Sequence, residues 1–141
     1  MSKRKPAAAP EPQVGGVEYA LTIRQPWCGL SMAAIKIVEN RSWSTAHRGR
    51  LWLHSAKTAD NVARPSLASD MTLGSILGYV ELVECLEIGK VPKRWRDQWI
   101  NGPWCWIFKR PVPLRMPIPA TGKLGLWRLT AAQIAAVTAP I

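Results

Sequence analysis

Residues 24–55, R-Q-P-W-C-G-L-S-M-A-A-I-K-I-V-E-N-R-S-W-S-T-A-H-R-G-R-L-W-L-H-S, decide how the whole chain is read. Gln25-Pro26 opens a helix, because proline at the first helical position lacks only a donor that would be orphaned anyway. Trp27, Leu30 and Ala34 recur at helical spacing and give that helix an apolar stripe. The β-branched run Ile35-Lys36-Ile37-Val38 then predicts a change to extended chain. Lys36 and Glu39 lie three apart across the joint. Glu39 and Arg41 lie two apart on the expected strand, which puts them on one face. A lysine, a carboxylate and an arginine therefore converge where helix meets strand, and that junction is the expected site.

Working outward, residues 19–24 alternate as a first strand. Thr45 to Gly49 forms the turn before a strand that places Arg50, Trp52 and His54 on one face and Leu51, Leu53 and Ser55 on the other. Trp43 is expected on the strand that carries the motif. Residues 56–71 read as a loop or short helix, and residues 75–88 as one long strand or a pair with a turn, with Val80, Leu82 and Val83 in the core. Residues 92–100, with Lys93-Arg94-Trp95-Arg96 and Trp99, form a short basic segment with aromatics. Trp104, Trp106 and Phe108 share one face of a strand over residues 104–110. The four prolines of residues 111–119 predict irregular chain or an edge. A last strand over residues 124–129 leads to Thr130, which caps a short helix over residues 131–137. Several short strands with few helices specify an α+β chain, a small mixed barrel.

Composition narrows the class of partner. The chain has 141 residues, 48% of them hydrophobic, enough for one domain with a core. Nineteen basic against nine acidic residues give +10, of which residues 1–17 supply +2. The rest thus carries +8 and favours a polyanionic partner. Arg24, Lys36, Arg41, Arg48 and Arg50 against the single Glu39 concentrate half of that charge within residues 24–50, which points to phosphate contact. Residues 1–17, rich in Ala, Pro and Gly, bury too little to offset their ordering entropy and are expected to be a disordered leader; the domain is residues 18–141. Cys28, Cys85 and Cys105 show no metal-ligand spacing and read as buried thiols in a reducing, cytoplasmic setting, with no metal and no cofactor. His47 and His54 have no third ligand nearby, and a hydrogen-bonded His54 at a strand end is the simpler reading. No apolar run approaches the length of a membrane span. Among the tryptophans most belong to the core. Trp27, beside Gln25, and Trp104, beside a Gly-Pro turn, are the two expected at the cleft, where base stacking contributes about 1–3 kcal/mol per base.

The segment A-I-K-I-V-E-N-R resembles the G-x-K-x-x-E-x-R signature of the ASCH (activating signal cointegrator homology) domain, a branch of the PUA-like superfamily. The flanks L-T-I-R-Q-P-W, R-S-W-S-T-A-H-R-G-R-L-W-L-H-S-A-K, G-P-W-C-W-I-F-K-R-P-V-P-L and G-K-L-G-L-W match in the same order, so the resemblance covers about residues 19–129. It implies a PUA-like β-barrel with peripheral helices and a ligand cleft lined by Lys36, Glu39 and Arg41. Ala34 stands where the family usually has glycine; a left-handed turn there costs about 1–2 kcal/mol. The turn is then either built differently or approaches the ligand less closely.

Three functions follow. The first is binding of RNA, a single strand or a modified nucleoside by a monomer, through Arg24, Gln25, Trp27, Lys36, Glu39, Arg41, Arg48, Arg50 and Trp104. The second is hydrolysis in the same cleft, since some ASCH-like proteins deacetylate cytidine modified on its exocyclic amine and some act as ribonucleases. In the amidohydrolase branch the resemblance implies a motif lysine, matched by Lys36, and a glutamate on a later strand, best matched by Glu81 in G-Y-V-E-L. Glu39 takes the place of that branch's threonine. The carboxylate would activate water while Lys36 stabilises the oxyanion. The third is a coactivator-like protein-interaction module.

Overall fold

Two long antiparallel strands, β4 (Ser75–Glu87) and β5 (Trp104–Pro119), carry the sheet in the computed structural model, which describes residues 16–61 and 71–139. Around them lie β1 (Tyr19–Ile23), α1 (Trp27–Met32), β2 (Val38–Arg41), β3 (Gly49–Ser55), β6 (Leu126–Arg128) and α2 (Ala131–Val137), with single 3-10 turns at Ile88–Lys90 and Lys93–Trp95. The six strands run in the order β2-β5-β4-β3-β1-β6. β1 and β3 are parallel, and all other neighbours are antiparallel.

Strand alternation divides the apolar side chains between the two faces. Leu21 and Ile23, Leu51 and Leu53, Val80 and Leu82, and Trp106 and Phe108 fill the inside, sealed by Cys28 and Met32 of α1. Each such buried side chain contributes about 1.5–3 kcal/mol. Their sequence neighbours point outward into two smaller clusters. Ala20, Trp52 and Ile76 pack with Trp127, Leu129 and Val137, whereas Val38, Cys105 and Ile107 pack with Val91, Trp95 and Ile100. The sheet is strongly curled. Three strands separate β2 from β1 in the sheet, yet Arg41 Nη2 donates to Thr22 O at 2.7 Å across the opening. The result is a curled half-barrel in which one side chain ties the open edge.

Several elements differ from expectation. Helix α1 stops at Met32, and Ala34 follows at φ +60, so the left-handed turn is built with alanine in place. Trp43 lies beyond β2, because the β2–β5 ladder ends at Arg41↔Trp104. It still packs edge-on against Trp106, with ring centroids 4.8 Å apart. Residues 75–87 form the single long strand that is one of the two expected forms, whereas β5 runs on as regular strand through the four prolines. The prolines are tolerated there because β2 pairs with β5 only as far as Ile107, so their missing N–H groups face an unpaired edge. On the other side, the register with β4 jumps from Ile118 to Pro113. At the C-terminus, Thr130 and Gln133 form the reciprocal capping box that starts α2.

All three cysteines are buried and free. Burial raises the thiol pKa of Cys85 and of Cys105. His54 is buried and bonded on both ring nitrogens, to Thr22 Oγ1 at 3.1 Å and Ala120 O at 2.6 Å. No helix among the described residues is long and apolar enough to cross a membrane. The expected leader, apart from Gly16 and Val17, and residues 62–70 of the stretch expected as a loop or short helix lie outside the described residues.

Candidate functional site

The motif meets the rest of the fold at a cleft of about 550 Å³, a size suited to a small ligand. Its floor is the Lys36–Glu39–Arg41 triad. Lys36 is only 4% exposed, and its ammonium donates to Val38 O and, at 3.3 Å, to Glu39 Oε1. The other carboxylate oxygen of Glu39 accepts from Arg41 Nε at 3.1 Å. Lysine reaches the carboxylate from the turn after α1, and arginine reaches it from the next position on the same face of β2. The spacing of three and two thus becomes a cation–carboxylate–cation bridge. Such a bridge tolerates burial because every charge in it touches one of opposite sign, although two cations on one carboxylate leave a net +1. These bonds engage two of the three donors on Lys36 and two of the five on Arg41.

The walls are aromatic and polar. Trp27 and Trp99 face each other edge-on across 6.4 Å. Asp60 holds Trp27 in place, accepting its Nε1 at 2.7 Å and Arg24 Nη1 at 3.3 Å. Trp99 is set by Asn40, whose side-chain amide donates to Trp99 O at 3.1 Å while its oxygen accepts from the backbone of Asn101 and Gly102. Lys123, the fully exposed Leu124 and Gly125 form the opposite rim.

Of the expected site residues, Arg24, Trp27, Lys36, Glu39 and Arg41 line this cleft. The others do not, each for a physical reason. Gln25 is buried beneath it, receiving Gly29 N at 2.8 Å and donating to Thr72 O at 3.0 Å, so it fixes the start of α1. Arg48 is paired with Glu84 at 2.9 Å, and this arginine holds the Glu84 pKa below its usual value. Arg50 grips the fully buried Glu18 through two nitrogens, at 2.8 and 2.7 Å, and Trp52 donates to the same carboxylate. Trp104 packs against the inner core, and the indole at the cleft is Trp99 instead. Glu81 is on β4, bound to Arg110, and takes no part in the lining. The pair that an amidohydrolase would use, Lys36 with Glu81, is not assembled in one cavity.

Asp60 and Trp99 were missed. Trp99 carried a signal, its place in the aromatic-basic segment, but Asp60 had none, since only the fold brings it to Trp27. Among the described residues no group of histidine, cysteine or carboxylate side chains could hold a metal ion.

A small curled half-barrel with a polar cleft at its open edge is the PUA-like architecture. Residues 21–107 match the model of the ASCH domain, and the chain belongs to that family. It is 31% identical over 130 residues to human "Activating signal cointegrator 1" and 29% identical over 128 residues to the mouse protein of that name. Each alignment takes in 79% of this chain but spans only 22% of the curated relative. The crystal structure of ASCH from Zymomonas mobilis superposes with a TM-score of 0.55 at 14% identity, covering 87% of this chain and 96% of that one, a likeness of fold.

Proposed function

We propose that this ASCH domain binds RNA, or a modified nucleoside within it, with one base in the cleft. The observation that supports this is the meeting of the Lys36–Glu39–Arg41 bridge with the indoles of Trp27 and Trp99 in one cavity. An indole offers a face or edge to any base, so it supplies sequence-tolerant affinity. The donors left over on Lys36 and Arg41 suit a base carbonyl or an acyl oxygen. Arg24 at the mouth suits a phosphate.

Hydrolysis in the cleft has less support. The carboxylate beside Lys36 is Glu39, and both its oxygens already accept from cations.

The test follows the quenching of tryptophan fluorescence by a short single-stranded RNA and by cytidine acetylated on its exocyclic amine. Lys36→Met keeps the apolar stem and removes the donor. Affinity is expected to fall about 10- to 100-fold, the value of a hydrogen bond to a charged group. Trp99→Ala is expected to weaken binding by a similar factor. Unchanged affinity in both variants refutes the reading. Release of acetate by the wild type, lost in Lys36→Met, would move the assignment to hydrolase.

A further inference from the structure

The ion pairs of the fold leave a different set of cations free from the one that sequence suggests. Arg24, Lys36, Arg41, Arg48, Arg50 and Arg110 each have a carboxylate partner. Lys93, Arg94 and Lys109 have none among the described residues, and two of these converge on one indole. Arg94 Cζ lies 4.6 Å and Lys109 Nζ 5.2 Å from the ring centroid of Trp95, so no more than about 10 Å separates the two charges. Lys109 comes from β5 and Arg94 from the 3-10 turn at Lys93–Trp95, so tertiary structure brings two like charges together, and Glu81, opposite Lys109 in the ladder, is taken by Arg110. The negative face of the indole holds each cation but does not neutralise it.

The segment that carries Trp95 is also the wall of the cleft. Asp97 accepts the backbone N–H of Ile37 and of Val38, at 3.1 and 3.2 Å, next to Lys36. Two residues on, Trp99 lines the cavity. Trp95 packs with Val38 and Ile107 on the outer face of β2 and β5, whereas Lys36 and Glu39 face the cleft. The four residues from Trp95 to Trp99 reach at most about 14 Å. A strand leaving the cleft past Trp99 therefore needs to cross only the clamped β2 edge to meet the cations.

Resting on the cleft reading above, we infer that Lys93, Arg94 and Lys109 around Trp95 form a second contact surface, for the phosphates of a single-stranded nucleic acid whose base occupies the cleft. Lys93 and Arg94 are exposed, and Trp95 is half-buried, which leaves an indole edge for a flanking base.

The experiment compares two probes on the full chain: a labelled single-stranded RNA of about 12 nucleotides, within the usual range of site sizes, and the acetylated nucleoside, which carries no phosphate. The variant is Lys93→Gln/Arg94→Gln/Lys109→Gln, with circular dichroism as the check on folding. Each phosphate contact contributes about −0.7 to the slope of log affinity against log salt. The triple substitution is expected to reduce the slope by about 2, so that the wild type loses about 20-fold more affinity than the variant between 50 and 200 mM salt. Nucleoside affinity should not change.

An unchanged RNA slope overturns the second surface while leaving the cleft reading intact. A loss of nucleoside affinity also overturns it, because the substitutions would then act on the cleft. If the slope falls but Lys36→Met leaves both probes unaffected, the surface stands as a phosphate site and the cleft reading fails.

Discussion

Replacing Ala34 by glycine should stabilise the domain, while the same change at the adjacent Ala33 should destabilise it. Ala34 sits at φ +60, where an L side chain meets the following carbonyl and costs about 1–2 kcal/mol. Glycine removes that cost but brings a larger loss of backbone entropy on folding, about 0.5–1 kcal/mol. The net gain is about 0.5–1 kcal/mol. Ala34 is exposed, so its methyl group contributes little burial to offset it. Ala33, the residue after α1, has φ −84 and ψ 2, ordinary geometry for alanine, so Ala33→Gly relieves no strain and carries the entropic cost together with the lost burial of a half-buried methyl group. For a domain of this size the two midpoints should move in opposite directions by about 2–5 °C, measured by thermal unfolding under circular dichroism. Guanidinium titration of the same pair should show altered midpoints with unaltered slopes. A fall in midpoint for Ala34→Gly would refute the reasoning, for it would mean that alanine bears no strain in this turn. Nucleoside affinity should be the same in both variants, since neither residue lines the cleft.

Two further outcomes test the internal charges. Burial lowers the pKa of His54 below its usual value, so the unfolded state binds the proton more readily and stability is lost as pH falls below about 6.5; midpoints measured from pH 8 to pH 5 should fall more steeply in the wild type than in His54→Gln, and equal slopes would count against it. Glu18→Gln removes the fully buried carboxylate charge that Arg50 grips; a loss of about 3–5 kcal/mol is expected by denaturant titration, and a loss below about 1 kcal/mol would show that the pair is dispensable.

Local rules of the chain were enough for much of this fold. The period-two alternation around Leu51-Trp52-Leu53 and Trp106-Ile107-Phe108 depends only on the pleat, so the inner and outer faces were legible before any pairing was known. The same holds for the cap at Thr130, made within four residues. The Lys36–Glu39–Arg41 bridge was also legible, because its members lie within six residues and backbone geometry alone brings them together. What tertiary structure alone decided is which charges and rings remain for a ligand. Arg48 and Arg50 find Glu84 and Glu18 at separations of 36 and 32 residues, and Trp27 finds Asp60 at 33. Trp99, not Trp104, reaches the cleft because Asn40 pulls its segment against β2. Glu81 is turned away because its register on β4 sets it beside Arg50 and Lys109 rather than at the open edge. A short-range pattern fixes a side chain's face. Its partner depends on how the sheet curls, and that is set by the packing of residues far apart in the chain.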